Sequence, residues 1–242
     1  MVIWVFSGGG YTEFGGLIIF LERNFPPHRF IRKTPVRQKP GPKPRQEIQF
    51  HVFGQTGQAL ADQVKYFLSR SDPEDDCEMI LILDDLDCHD LNERAKMFLE
   101  EVNGVETFAN KTRLVGFAKP EIEAWLVADW EGTFARNKDL CHHEEDIRIK
   151  LKQAYRELTE GGDITDPENF SHYVEERDAC QDKLSDTISQ IVLDETGIHY
   201  SKSIHSSLLL RDARAEIISN RCPVFRNLYR QLKSQVIAHH QE

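Results

Sequence analysis

A chain of 242 residues with 40% apolar content is long enough for one large domain or two small ones with an ordinary soluble core. Its formal net charge of -10 excludes broad coating of nucleic acid, which rests on clustered Lys and Arg. No window approaches the roughly 18 uninterrupted apolar residues of a membrane span, and the N-terminus lacks the pattern of a signal peptide, so the expectation is a cytoplasmic protein with no membrane partner.

The first predicted strand, residues 2–6, runs into Ser7-Gly8-Gly9-Gly10, a turn in which backbone can approach a ligand closely. A helix over 13–25 follows, weakened in its first turn by Gly15 and Gly16. From 23 to 45 there are eight basic residues (Arg23, Arg29, Arg32, Lys33, Arg37, Lys39, Lys43, Arg45), no acid and six prolines. That composition excludes a helix and reads as an extended loop over 23–47, either a solvated linker or a basic arm that grips a polyanion. Residues 47–54 alternate as a strand, and 58–70 place Leu60, Val64, Phe67 and Leu68 on one helical face. The continuous apolar run from 79 ends in Asp84-Asp85-Leu86-Asp87 and suits a central parallel strand. A helix over 91–102, a strand over 112–118 and a helix through Glu121, Glu123 and Trp125 complete an alternating β-α order, that of a doubly wound α/β sheet. Beyond 130 only helices are expected, over parts of 140–158, 174–193 and 208–237. The division is thus an α/β core over 1–130 and a helical extension over 131–242 packed on it.

In open α/β sheets ligands bind beyond the carboxyl ends of the strands. Three strands end there in acids: Glu13 after the first, Asp84, Asp85 and Asp87 after the third, Glu121 and Glu123 after the fourth. Like charges gathered from separate segments are costly unless a cation neutralises them, and hard oxygen ligands suit Mg2+ or Mn2+. Any one of these acids taken alone reads as a turn former or helix cap. On a continuous helix Glu121 and Glu123 point about 200° apart, so only one should face the site. The glycines fit neither phosphate fingerprint: a Walker A loop needs a following Lys-Ser/Thr, and Gly8-Gly9-Gly10 offers only the G-x-G of a dinucleotide site. The five cysteines are scattered, without a CxxC pair, so reduced thiols are expected. Trp125, with Ile122 and Leu126, reads as core.

"VFSGGGYTE", "ILILDDLD" and "EIEAWLVAD" together resemble the three acidic motifs of Toprim (topoisomerase–primase) domains, most closely the small Toprim-like proteins related to nucleases of the overcoming-lysogenization-defect type. "HYSKSIHSSLLL" and "CPVFRNLYRQL" resemble the C-terminal pattern of that group, so the likeness spans most of the chain. It implies a Toprim-like doubly wound, mostly parallel sheet and a Mg2+-dependent or Mn2+-dependent phosphoryl-transfer site. Carried over by position, Asp85 and Asp87 resemble the D-x-D ligands and Glu123 the acid before Ala-Trp, with Asp84 a substitute in register. The glutamate of the family aligns with Ser7, which can neither ligate a metal well nor transfer a proton at neutral pH. Either Glu13 replaces it, or catalysis is lost and a binding scaffold remains. The implied partners are DNA or RNA, held by Arg29, Arg32, Lys33, Arg37, Lys39, Lys43, Arg45 and Lys202, and an ATPase protein in defence against phage or plasmids.

Overall fold

A computed structural model describes residues 1–8, 10, 12–34, 55–72, 75–159 and 162–239. Its centre is a four-stranded parallel sheet in the order β2-β1-β3-β4, from β1 (Val2–Ser7), β2 (Arg29–Arg32), β3 (Met79–Asp85) and β4 (Thr112–Ala118). Side chains alternate across β1 and β3. Ile3, Val5, Leu81 and Leu83 join one core, while Trp4, Phe6, Ile80 and Ile82 join another. The second core is closed by α2 (Gly57–Leu68) and α3 (Leu91–Asn103). The first is closed by α1 (Ile18–Asn24) and α4 (Glu123–Ala128). Helices on both faces make the sheet doubly wound, as the alternating sequence order implies, and explain why β1 and β3 are apolar at nearly every position.

The helices that follow share the first core. They are α5 (Glu144–Leu158), α6 (Leu184–Thr196), α7 (Ser207–Asp212), α8 (Ala215–Arg221) and α9 (Pro223–His239). Leu151, Ile188, Leu210, Ile218, Phe225 and Leu228 are buried with Ile3, Val5 and Leu81. Trp125 lies among them, its ring centroid 4.6 Å from Phe225 and 5.9 Å from Phe20, as its helical spacing predicts.

Three expectations change. Residues 29–32 form an edge strand inside the stretch read as a loop. Edge position accounts for its composition, since only Phe30 is buried and Arg29 is exposed. Arg23 ends α1 and pairs with Asp212 rather than opening a basic arm. The segment read as the start of a helix at 174 instead forms an antiparallel hairpin of β5 (Tyr173–Val174) and β6 (Ala179–Cys180), and α6 starts only at Leu184. The strand expected over 47–54 and the basic residues Arg37, Lys39, Lys43 and Arg45 lie outside the described residues, as does Gly9.

Candidate functional site

The glycines after β1 act through close packing. A Cβ on Gly8 would stand 2.4 Å from Asp84 Oδ1 and 2.6 Å from the Gln55 carbonyl, whereas one on Gly10 would meet nothing within 4 Å. Glu13–Leu17 then forms a π-helical turn, a distortion frequent at functional sites. Gly15 and Gly16 lie against α7: a Cβ there would stand 2.2 Å from Ser207 Oγ and 2.7 Å from the Ser207 carbonyl. Lys202–Ser206 forms a second π-helical turn, joined to the first by the Thr12 hydroxyl, which donates to the Lys202 carbonyl at 3.1 Å. The C-terminal segment therefore folds back onto the strand ends.

Around these turns the acids separate by face. Asp85 follows Leu81 and Leu83 on the first-core side, and Asp84 follows Ile80 and Ile82 on the other. Asp84 Oδ2 accepts from the Gly57 amide at the start of α2 at 2.7 Å, and its buried Oδ1 has no hydrogen-bond partner among the described residues. Asp84 is thus no substitute for Asp85 in one site, because a one-residue step reverses the face. Burial pushes its carboxyl up to about 7, against the lowering effect of the Gly57 amide.

Glu13, Asp85, Asp87, Glu121 and Glu123 share a single electrostatic neighbourhood. Burial, then the charges of Glu13, Glu123, Glu121 and Asp87, raises Asp85 well above the usual carboxylate range. Burial and the charge of Glu121 push Glu123 up to about 8. Burial pushes Glu13 up to about 7, although Arg32 and Lys202 pull it down. Asp87 is raised by burial and held down chiefly by Lys183. Asp87 and Cys88 both have left-handed backbone, at φ 46° and 63°, in the turn that leaves β3.

Glu121 and Glu123 both face this crevice, contrary to the helical-angle expectation, because α4 begins at Glu123 and Glu121 precedes it. Glu121 accepts from the Ser185 amide at 2.6 Å, the Ser185 hydroxyl at 2.9 Å and Lys202 Nζ at 3.1 Å. The Ser206 hydroxyl donates to Glu123 Oε1 at 3.2 Å and lies 2.9 Å from the Tyr200 hydroxyl. The Ile122 amide donates to Asp85 Oδ1 at 3.0 Å. Burial opposes the charge on Lys202, but Glu123 and Glu121 outweigh it and raise its pKa. His205 accepts the Ser201 amide at Nδ1, 2.8 Å away, within its own turn.

Ser7 is buried at the end of β1, its amide and carbonyl both bonded to the Thr34 hydroxyl and its own hydroxyl without a partner among the described residues. Of the basic candidates, Arg32 lies on the Glu13 side, where burial lowers its pKa to about 10. Lys33 lies on the opposite face, its Nζ 4.0 Å from the Trp4 ring centroid, so it does not line the crevice. Ser185 carries no signal in the sequence, because a lone serine at the start of a helical stretch has no distinguishing spacing, while Ser206 lies within the "HYSKSIHSSLLL" stretch without a spacing that singles it out.

The last acid of the motif 123–129 has another role. Asp129, at 1% exposure, accepts from the Gly132 amide at 3.2 Å, the Arg214 amide at 2.6 Å and the Arg214 guanidinium at both carboxylate oxygens. Glu168 likewise accepts the Val224 and Phe225 amides at the start of α9, at 2.8 and 3.1 Å.

In their present rotamers no three Asp, Glu, His or Cys side chains among the described residues form a group that could hold a metal ion. Carboxylate oxygens are the donor type that suits a hard cation, and those of Glu13, Asp85 and Glu123 are raised first by burial and then, for Asp85 and Glu123, by the charges of neighbouring acids. Comparison with protein-family models, curated proteins and solved structures found no significant match. Among the described residues no helix is long and apolar enough to cross a membrane.

Proposed function

We propose that the crevice is a divalent-cation site of a phosphoryl-transfer enzyme, a nuclease or phosphodiesterase acting on DNA or RNA. The observation that carries this reading is the convergence of Glu13, Asp85, Asp87 and Glu123 from three chain segments into one under-neutralised neighbourhood. Glu13, Asp85 and Glu123 would hold Mg2+ or Mn2+, with Asp87 at the part-exposed edge, and side-chain movement must draw them together. A bound cation would supply charge stabilisation for the attacking and leaving oxygens of a phosphodiester. The protein's own groups prepare the site: the Ile122 amide orients Asp85, and the Ser206 hydroxyl orients Glu123. Without a cation, Glu13 with a pKa of about 7 is partly protonated near neutral pH, and binding a cation would release that proton. Lys202 offers a cation to a phosphate oxygen when Glu121 is shared. Arg32, beside Glu13 at the carboxyl end of the edge strand, would contact the nucleic-acid backbone, whereas Arg29 pairs with Val2 at the far end of the sheet and does not line the crevice. The defence role and the ATPase partner rest on the family resemblance alone.

The assay is cleavage of single-stranded and double-stranded DNA and RNA by the whole chain with Mg2+ or Mn2+, beside the double variant Asp85→Asn with Glu123→Gln. Cleavage by wild type, reduced at least about 100-fold in the variant, is the expected result. No cleavage by wild type with any divalent metal would overturn it.

A second reading is a scaffold that keeps the fold and binds nucleic acid or a partner without catalysis. Two observations favour it: Ser7 where the resemblance calls for a glutamate, and the Lys202 ammonium already supplying positive charge at Glu121.

A further inference from the structure

Cys88 and Cys180, 92 residues apart in sequence, are joined by a disulfide with Cα atoms 5.2 Å apart, against the expectation of reduced thiols. The bridge ties the turn after β3, which carries Asp87, to the β5–β6 hairpin. That hairpin has two residues per strand, too few to persist without support. Beyond the bridge, the Tyr173 ring lies 4.9 Å from His89, His89 Nδ1 is 3.9 Å from Asp178 Oδ1, the Asp182 amide donates to the Ser171 hydroxyl at 3.0 Å, and Phe170 and Leu184 on either side of the hairpin are buried in the first core. Tyr173 and residues 175–178 are exposed, and Cys88 is only part-buried. The chain leaving the hairpin reaches the crevice at once, since Lys183 faces Asp87 by charge and Ser185 binds Glu121 through both amide and hydroxyl.

We propose that Cys88 and Cys180 form a reversible redox modification site, a clamp that fixes the β5–β6 hairpin to the turn carrying Asp87 at the edge of the acidic crevice. The co-reactant is a small-molecule disulfide of the glutathione type. One protein thiolate attacks it, forming a mixed disulfide and releasing one small thiol. The second protein thiolate then attacks the mixed disulfide, closing the Cys88–Cys180 bond and releasing the other. Two protein thiols are oxidised and one small disulfide is reduced to two thiols, and excess small thiol reverses both steps. With the bridge open, the hairpin loses its covalent tie to the turn that carries Asp87, while Leu184 in the first core and the two Ser185 hydrogen bonds to Glu121 still hold the start of α6. The clamp does not rest on the proposed function.

The test uses the whole folded chain equilibrated in glutathione buffers of varied ratio, quenched by alkylation, with the Cys88–Cys180 peptide pair followed by mass. Brief trypsin treatment reads the hairpin through cleavage after the exposed Arg177. The expected result is a bridge that forms and breaks reversibly, with cleavage at Arg177 about fivefold faster when reduced, and equally fast in oxidised Cys180→Ser. The proposal is overturned if glutathione disulfide never forms the bridge, if excess dithiothreitol leaves it intact in the native protein, or if cleavage is equally fast in both states. None of these readouts uses a metal or a nucleic acid. A working clamp on a protein that takes up no Mn2+ would therefore sink the proposed function and leave the clamp standing.

Discussion

Asp129, buried just after α4, and Asp85, part-buried at the end of β3 and bonded by the Ile122 amide just before α4, are treated in opposite ways. Asp129 is met by the Gly132 amide, the Arg214 amide and the Arg214 guanidinium. Asp85 has the Ile122 amide and, around it, the negative charges of Glu13, Glu123, Glu121 and Asp87. Glu168 belongs with Asp129, since two amides at the start of α9 hold it. A buried carboxylate that serves the fold comes with its donors built in. One that lacks them, gathered with others of the same charge, is pushed above the usual carboxylate range instead.

The sharpest way to break this contrast is to remove a donor from the satisfied acid. Arg214→Met should leave Asp129 short of its guanidinium and cost about 2–3 kcal/mol in urea unfolding, part of the full penalty because the Gly132 and Arg214 amides remain. A cost near zero would show that Asp129 is no better served than Asp85.

A smaller effect concerns pH. Glu13 at about 7 and Glu123 at about 8 are both raised from 4.5, and Asp84 at about 7 is raised from 3.8. The folded state therefore binds protons that the unfolded state releases, and metal-free stability should fall as pH rises from about 4 to 8 and level off above. The melting temperature should drop by roughly 5 °C across that window, and Asp85→Asn with Glu123→Gln should flatten the slope. An unchanged slope in the double variant would place the excess protons elsewhere.

Much of the sheet was legible because β1, β3 and β4 are apolar runs with turn residues at their ends. β2 was not, because an edge strand needs only one buried residue and Arg29–Arg32 supplies Phe30 among cations. The side on which Asp84 falls was readable from the two-residue period of β3, since Ile80 and Ile82 mark its face. The role of Glu121 is not legible in helical spacing, because Glu121 lies ahead of α4. The Cys88–Cys180 pairing crosses 92 residues and has no local pattern. Gly15 and Gly16 look like defects in a helix until α7 is seen packed against them.

The most direct measurement is calorimetric titration of the metal-free protein with Mn2+ at pH 8, beside Asp85→Asn with Glu123→Gln. Wild type should bind saturably, and the double variant should lose that binding while remaining folded. Absence of binding by wild type, or equal binding by the variant, would contradict the assignment of the crevice as a cation site.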